Sequence, residues 1–384
     1  MKYLVLVPDG CADEPLAELD GRTPLEAAHM PHLARLAAAG EVGRAEVIPP
    51  GLPPGSDVGN LAILGYDPAE YHTGRAPIEA AAMGVDLAPG EVAFRCNLVT
   101  VGDDGTMVDF AAGHVTSEQS HVIVAALDDA LGNGRDGVRF HPGVEYRHLC
   151  VVPADLGDAE CVPPHDLTGQ PIVLPAGPAA AKLTALMDAS KPIVARAAAE
   201  VGSIATQIWL WGQGTRPQIP DFTARYGVRG RLSSAVDLVR GLGVLSGIEV
   251  LDVAGATAGF DNDYVAQRDA AIASLADRDL FLLHVEATDE AGHQGAIDEK
   301  VASLERWDAD IIGPLVDALA DQPFRVLLLP DHATPCAART HTSEPVPYLL
   351  FGTDLDGDGG EYSERGVADQ APVPAHDLMA RLLA

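Results

Sequence analysis

Tyr3-Leu-Val-Leu-Val-Pro8-Asp9, Leu280-Phe-Leu-Leu-His-Val285 with Asp289 just beyond it, and Val326-Leu-Leu-Leu-Pro330-Asp331 are the stretches that decide the fold. Each is a short apolar run with no polar alternation, as strands of a parallel sheet show when both faces are covered. Between them lie Ala-rich helical patterns at Pro31–Gly40, Tyr264–Asp277 and Lys300–Ala320. Alternating strands and helices predict an α/β fold, a mostly parallel sheet sandwiched by helices. Ligands of such sheets bind outside the carboxyl ends of the strands. Three aspartates placed just past three strands are therefore expected to converge on one site.

The middle of the chain reads differently. It is rich in Gly and Pro, with strand-like pieces at Val92–Val101, Val138–Phe140, Tyr146–Val152 and Gln207–Trp211, and the strand–helix rhythm returns only near Tyr226. A chain of 384 residues exceeds one ordinary core. The expected organisation is a core of residues 1–88 and 225–384, with a smaller α+β cap of residues 89–224 inserted into it.

Bulk properties narrow the function. Hydrophobic residues make up 47%, so the chain is globular. The formal net charge is -31 and only four lysines occur, Lys2, Lys182, Lys191 and Lys300. That balance argues against nucleic acid and anionic membrane surfaces as partners. It also repels a small phosphorylated substrate at long range, so a phosphate site must be built locally from metal, arginine and backbone N–H groups. The five scattered cysteines form no CxxC pair. With no long apolar stretch and no signal peptide, they place the protein in a reducing, cytoplasmic compartment.

The chemistry lies past the strand ends. Asp9, Asp289, His293, Asp331, His332 and His341 make three carboxylates and three imidazoles. Taken alone, an Asp after a strand is a cap or turn residue and a His is a packed ring. Together they exceed the needs of one ion and suit two. Mixed oxygen and nitrogen donors favour Mn²⁺ or Zn²⁺ over Mg²⁺, and paired ions clamp the attacking and leaving oxygens of phosphoryl transfer. Asp289 and His293 have the four-residue spacing of one helical face. The nucleophile candidate is Ser56 in Pro53-Pro-Gly-Ser-Asp-Val-Gly-Asn60, where a Pro/Gly turn leads into an apolar helix. A helix N-terminus there offers free N–H groups to phosphate; the alternative is that Ser56 merely caps the helix.

At this point the chain resembles a known family. Val5–Gly10, Pro54–Asp67, Tyr71–Gly84, Phe94–Val99, Tyr146–Val151, Pro163–Gly169, His284–His293 and Asp331–Pro347 are together similar to the archaeal-type cofactor-independent phosphoglycerate mutases of the alkaline phosphatase superfamily. The resemblance runs the length of the chain. It implies one metal held by Asp9, Ser56, Asp331 and His332, and another by Asp289, His293 and His341. The ions it implies are Mn²⁺ first, with Zn²⁺, Co²⁺ or Mg²⁺ as alternatives. It implies that Ser56 takes the phosphoryl group from 3-phosphoglycerate and returns it to the 2-hydroxyl, with the cap closing to exclude water. Arg75, Arg95 and Arg147 lie in matching motifs and are the candidates for binding the substrate's anionic groups. His148, His165 and Asp166 are candidates for hydroxyl or proton handling.

Two places depart from the family pattern. Thr206-Gln207 precede Ile208 where the family tends to carry Asn, and Gln267-Arg268 stand where it tends to carry Lys. Both suggest a change on the substrate side. A homoserine-kinase-like branch and a plain metal-dependent phosphatase share the same metal motifs and are the alternatives. The sulfatase signature is absent from Ser56–Asn60, and no Walker A loop occurs.

Overall fold

A computed structural model describes residues 1–384. Its strands are β1 Lys2–Pro8, β2 Glu41–Glu46, β3 Glu91–Val101, β4 Met107–Asp109, β5 Arg139–Val144, β6 Arg147–Pro153, β7 Gln207–Gly214, β8 Gly230–Ser233, β9 Glu249–Val250, β10 Leu280–Val285, β11 Phe324–Leu328, β12 Val346–Gly352 and β13 Val373–Pro374. They form two sheets. The larger has eight strands in the order β13-β2-β12-β11-β1-β10-β8-β9. Strand β1 lies at its heart, parallel to β10 through Leu6↔Leu283 and to β11 through Leu6↔Leu328. Only β12 runs antiparallel to its neighbours. This is the expected α/β architecture. Leu4, Val5, Leu6 and Val7 have no exposed surface, and each such side chain contributes about 1.5–3 kcal/mol relative to water.

The helix expected over Lys300–Ala320 is interrupted. It runs Ile297–Trp307, widens into a π turn over Asp308–Ile312, and resumes at Gly313–Ala318. Pro314 has no N–H to give to the preceding turn, and π turns absorb such gaps. Asp308 gains a role there. Its carboxylate accepts from the backbone N–H groups of His32 and Leu33 at 3.1 and 2.7 Å. These are free donors of the Pro31–Ala37 helix, which has no side-chain cap of its own.

The chain divides into one unit of residues 1–72 and 218–384, and a second of residues 73–217. The expected boundaries at 88/89 and 224/225 are corrected by this division. The reason is the helix Arg75–Ala82. Its Ala76 and Ala80 pack with Ala93 of β3 and with Leu149 and Val151 of β6, so it belongs to the second unit. That unit is an antiparallel sheet ordered β4-β3-β6-β5, with β7 also pairing β3. Helices Ser117–Leu131 and Ala180–Val201 cover its other face through Ile123, Leu127, Leu183 and Met187 against Phe94 and Trp209. No helix is long and apolar enough to cross a membrane, and all five cysteines are free.

Candidate active site

The three central strands deliver their aspartates together. Asp9 follows β1, Asp331 lies beyond β11, and Asp289 lies one turn into the helix Ala287–Gln294 that follows β10. Asp9, Asp331 and His332 offer ligand atoms within 4.8 Å of one another, and Asp289, His293 and His341 do the same. The two sets adjoin. The rings of His332 and His341 lie 4.0 Å apart, and the Thr334 hydroxyl reaches both Asp289 Oδ1 at 2.5 Å and His332 Nδ1 at 3.1 Å. The four-residue spacing brings His293 Nε2 to 3.3 Å from Asp289 Oδ2.

Ser56 opens the helix Ser56–Ile63. Gly55 is the N-cap and makes no side-chain capping bond, so the Ser56 hydroxyl is not spent on capping. Its Oγ lies 3.2 Å from His332 Nε2. Asn60, one turn along, donates to the Ser56 carbonyl at 3.0 Å and to Asp331 Oδ2 at 2.7 Å. One amide thus ties the nucleophile helix to a carboxylate of the cluster.

The electrostatics suit cations. Burial, followed by the charges of Asp331, Asp289 and Glu286, raises Asp9 well above the usual carboxylate range. Burial also opposes ionisation of Asp289, but hydrogen bonds from His293 and His341 outweigh it and hold that carboxyl low. Both oxygens of Asp9 are buried and make no hydrogen bond of good geometry, their nearest polar neighbours being the His284 and His332 rings at 3.1 and 3.5 Å. Such a group is costly unless a cation meets it. Carboxylate and imidazole donors in these two sets fit divalent ions.

The second unit gathers some of the remaining candidates and separates others. Arg95 pairs with Glu79 at 2.9 Å and stacks 4.3 Å over the Trp211 ring. Burial, with Arg75 and Arg147 as positive neighbours, lowers its pKa, and Glu79 opposes that. Arg147 lies 5.4 Å over Tyr146. The His165 ring makes edge contacts with Trp211 at 5.3 Å and Phe110 at 6.1 Å, and Asp166 lies 3.7 Å from it. Three arginines and His165 thus share one aromatic-walled region.

His148 does not join them. Adjacent residues of a strand point to opposite faces, so His148 turns away from Arg147. Its Nδ1 accepts from Gly143 N at 3.0 Å, and His121 contacts the Gly143 carbonyl at 2.8 Å. Burial lowers its pKa to about 3. Its Nδ1 secures the β5–β6 turn, a structural contact at a position expected to handle substrate.

A family model described as 2,3-bisphosphoglycerate-independent phosphoglycerate mutase matches residues 37–199. A relative of that name from Methanosarcina acetivorans is 44% identical over 398 aligned residues, spanning 100% of both chains. The chain belongs to the 2,3-bisphosphoglycerate-independent phosphoglycerate mutase family. Among solved structures, a Pyrococcus horikoshii protein is similar with a TM-score of 0.81 and 28% identity, covering 100% of this chain and 96% of that one. The cofactor-independent phosphoglycerate mutase of Thermoplasma acidophilum follows at 0.68 and 26%, covering 100% and 99%.

The departures from the mutase-family pattern fall on the frame. Thr206 Oγ1 accepts from Val101 N at 2.8 Å and so closes the end of β3 against β7. Gln267 is buried, donating to the His284 carbonyl at 3.2 Å and to Ser233 Oγ at 3.3 Å, and accepting from Asn262 at 2.9 Å. Both side chains brace the sheets through these contacts. Four polar residues of the mutase site escaped the sequence reading, namely Asn60, His284, Thr334 and Thr288, whose hydroxyl donates to the Asp9 carbonyl. His284 Nε2 lies 3.1 Å from Asp9 Oδ2 and its Nδ1 3.2 Å from Ser234 Oγ. The signal was a histidine interrupting an otherwise apolar strand.

Proposed function

We propose that this chain interconverts 3-phosphoglycerate and 2-phosphoglycerate through a phosphoserine at Ser56. The supporting observation is the placement of Ser56 Oγ, at a helix N-terminus and beside two adjoining carboxylate–imidazole sets, in a member of this family. In the forward half-reaction Ser56 Oγ bonds to phosphorus, and the bond to the glycerate 3-oxygen breaks. The proton lost by Ser56 is the one gained, directly or through water, by the departing 3-oxygen, which leaves as a hydroxyl. In the second half the glycerate 2-oxygen gives up its proton and bonds to phosphorus, the bond to Ser56 Oγ breaks, and Oγ takes a proton back to restore the serine. Two divalent ions, Mn²⁺ by first choice, held by Asp9, Ser56, Asp331 and His332 and by Asp289, His293 and His341, would supply Lewis acidity to the serine oxygen and the phosphoryl oxygens. The free N–H groups at the start of the Ser56 helix would receive phosphate. Asn60 keeps that helix aligned. Arg75, Arg95 and Arg147 are the candidate holders of the glycerate carboxylate, whose planar geometry matches a guanidinium fork. The free cysteines accord with a reducing, cytoplasmic setting.

A phosphorus NMR time course tests this. Mn²⁺-loaded protein with 3-phosphoglycerate alone is expected to yield 2-phosphoglycerate without added bisphosphoglycerate. Phosphohomoserine from a parallel tube of homoserine and ATP, with no isomerisation in the first, would overturn the substrate assignment. Inorganic phosphate alone would indicate a phosphatase.

Close to this site, Glu364 accepts from Asp13 N at 2.8 Å and from Thr23 Oγ1 at 2.6 Å. Burial pushes its pKa up to about 7. A raised carboxyl stabilises the fold while protonated. That contribution is complete below the unfolded pKa and is lost as pH rises through about 7. Glu364→Gln is therefore expected to gain on the order of 3 kcal/mol relative to wild type between pH 4.5 and 8. Urea unfolding at the two pH values reads it, and a pH-independent difference would contradict the assignment.

A further inference from the structure

Lys300 has no exposed surface, an unusual state for a lysine. It rises from the Ile297–Trp307 helix and uses all three ammonium hydrogens. Its Nζ donates to Asp13 Oδ2 at 2.9 Å, to the Thr334 carbonyl at 2.8 Å and to the Ala12 carbonyl at 3.4 Å. Asp13 Oδ2 also accepts from Cys336 N at 3.0 Å. One side of this network is the loop after β1, which carries Asp9. The other is the loop after β11, which carries Asp331, His332 and His341. The same loops touch through bridges at Cys11↔Ala333 and Ala12↔Ala333.

Thr334 completes the path. Lys300 holds its carbonyl, while its hydroxyl contacts Asp289 of one donor set and His332 of the other. Lys300 itself touches no donor atom of either set. A buried ion pair contributes little net stability, because desolvation offsets its attraction. What this one delivers is geometry.

We propose that the Lys300–Asp13 pair is a buried strap that sets the register of the two ligand-bearing loops before any cation binds, making Lys300 a positioning residue for both donor sets. The proposal rests on the two-ion reading above. It predicts that cation affinity, and not merely folding, depends on the strap. Ligand-orienting partners of this kind change metal affinity by about 10- to 100-fold.

The test uses the full chain, stripped with chelator and titrated with Mn²⁺ by calorimetry. Lys300→Met alone leaves Asp13 buried and uncompensated and risks misfolding. The informative variant is Lys300→Met with Asp13→Asn, which removes both charges and leaves an amide oxygen for Cys336 N. This variant is expected to melt near wild type without metal, to bind Mn²⁺ roughly 10- to 100-fold more weakly, and to lose kcat more than KM. Wild-type Mn²⁺ affinity in the folded double variant would overturn the strap alone, whereas failure of wild-type protein to bind Mn²⁺ would overturn the two-ion reading instead. A second measurement needs no variant. Hydrogen exchange in metal-free wild type should protect the Cys336 amide as strongly as those of β11, and rapid exchange there until Mn²⁺ is added would refute pre-set loops.

Discussion

Ser56→Ala is expected to lower turnover by on the order of 10⁵-fold or more, as removal of a nucleophile that acts within a unit does. Folding should hardly change. Gly55, not Ser56, caps the helix, so no capping bond is lost. Alanine favours a helix more than serine does. The deleted oxygen faces His332 at 3.2 Å, and the other six candidate donor residues are untouched by the substitution. Thermal melting should therefore stay close to wild type, and Mn²⁺ binding should fall at one donor set only. Acid-quenched wild type incubated with substrate should carry a phosphoryl group on the peptide containing Ser56. Near-normal turnover in the folded variant would remove the covalent route altogether.

Gly59→Ala should also be damaging, although less so and although Gly59 offers no chemistry. A Cβ there would lie 1.9 Å from the Asp331 carbonyl oxygen and 2.7 Å from its carbonyl carbon. Both are backbone atoms, so no rotamer change relieves the clash. Either the nucleophile helix or the loop after β11 must move, and the 2.7 Å bond from Asn60 to Asp331 must break. Overpacking of this kind costs about 1–3 kcal/mol. A displacement of about 1 Å at reacting groups costs about 10²-fold in rate. The expected result is a folded protein, several degrees less stable, with kcat reduced by roughly that factor. Wild-type kcat and melting temperature together would show that the helix does not approach Asp331 so closely.

Much of the fold was legible because the central strands are buried on both faces. Val326–Leu329 has no alternation to confuse a helix with a strand, and the aspartates beyond the runs announced where the site would form. The domain boundary was not legible. Ala76 and Ala80 are small and neutral, and nothing local says that they pack on β3 and β6. The face of His148 was within reach, since a residue next to Arg147 on a strand must point the other way. Lys300, Asp13 and Glu364 lie far apart in sequence, and only tertiary packing joins them. Gln267 misled for the opposite reason: its motif neighbourhood suggested substrate, yet its side chain is satisfied within the frame.

The position of β1 has a consequence for how the chain reaches this state. Its partners β10 and β11 emerge from the ribosome only after residue 280. Residues 73–217 form a continuous unit that can complete its own sheet well before then, as domains made from unbroken segments do during synthesis. The first strand, Tyr3-Leu-Val-Leu-Val, must wait with its backbone unpaired. Closing so long a loop slows folding more than it costs stability. The central strand is thus made long before its partners and is among the last secured, and nascent chains stalled before residue 280 should be the form most prone to aggregate and most dependent on chaperones.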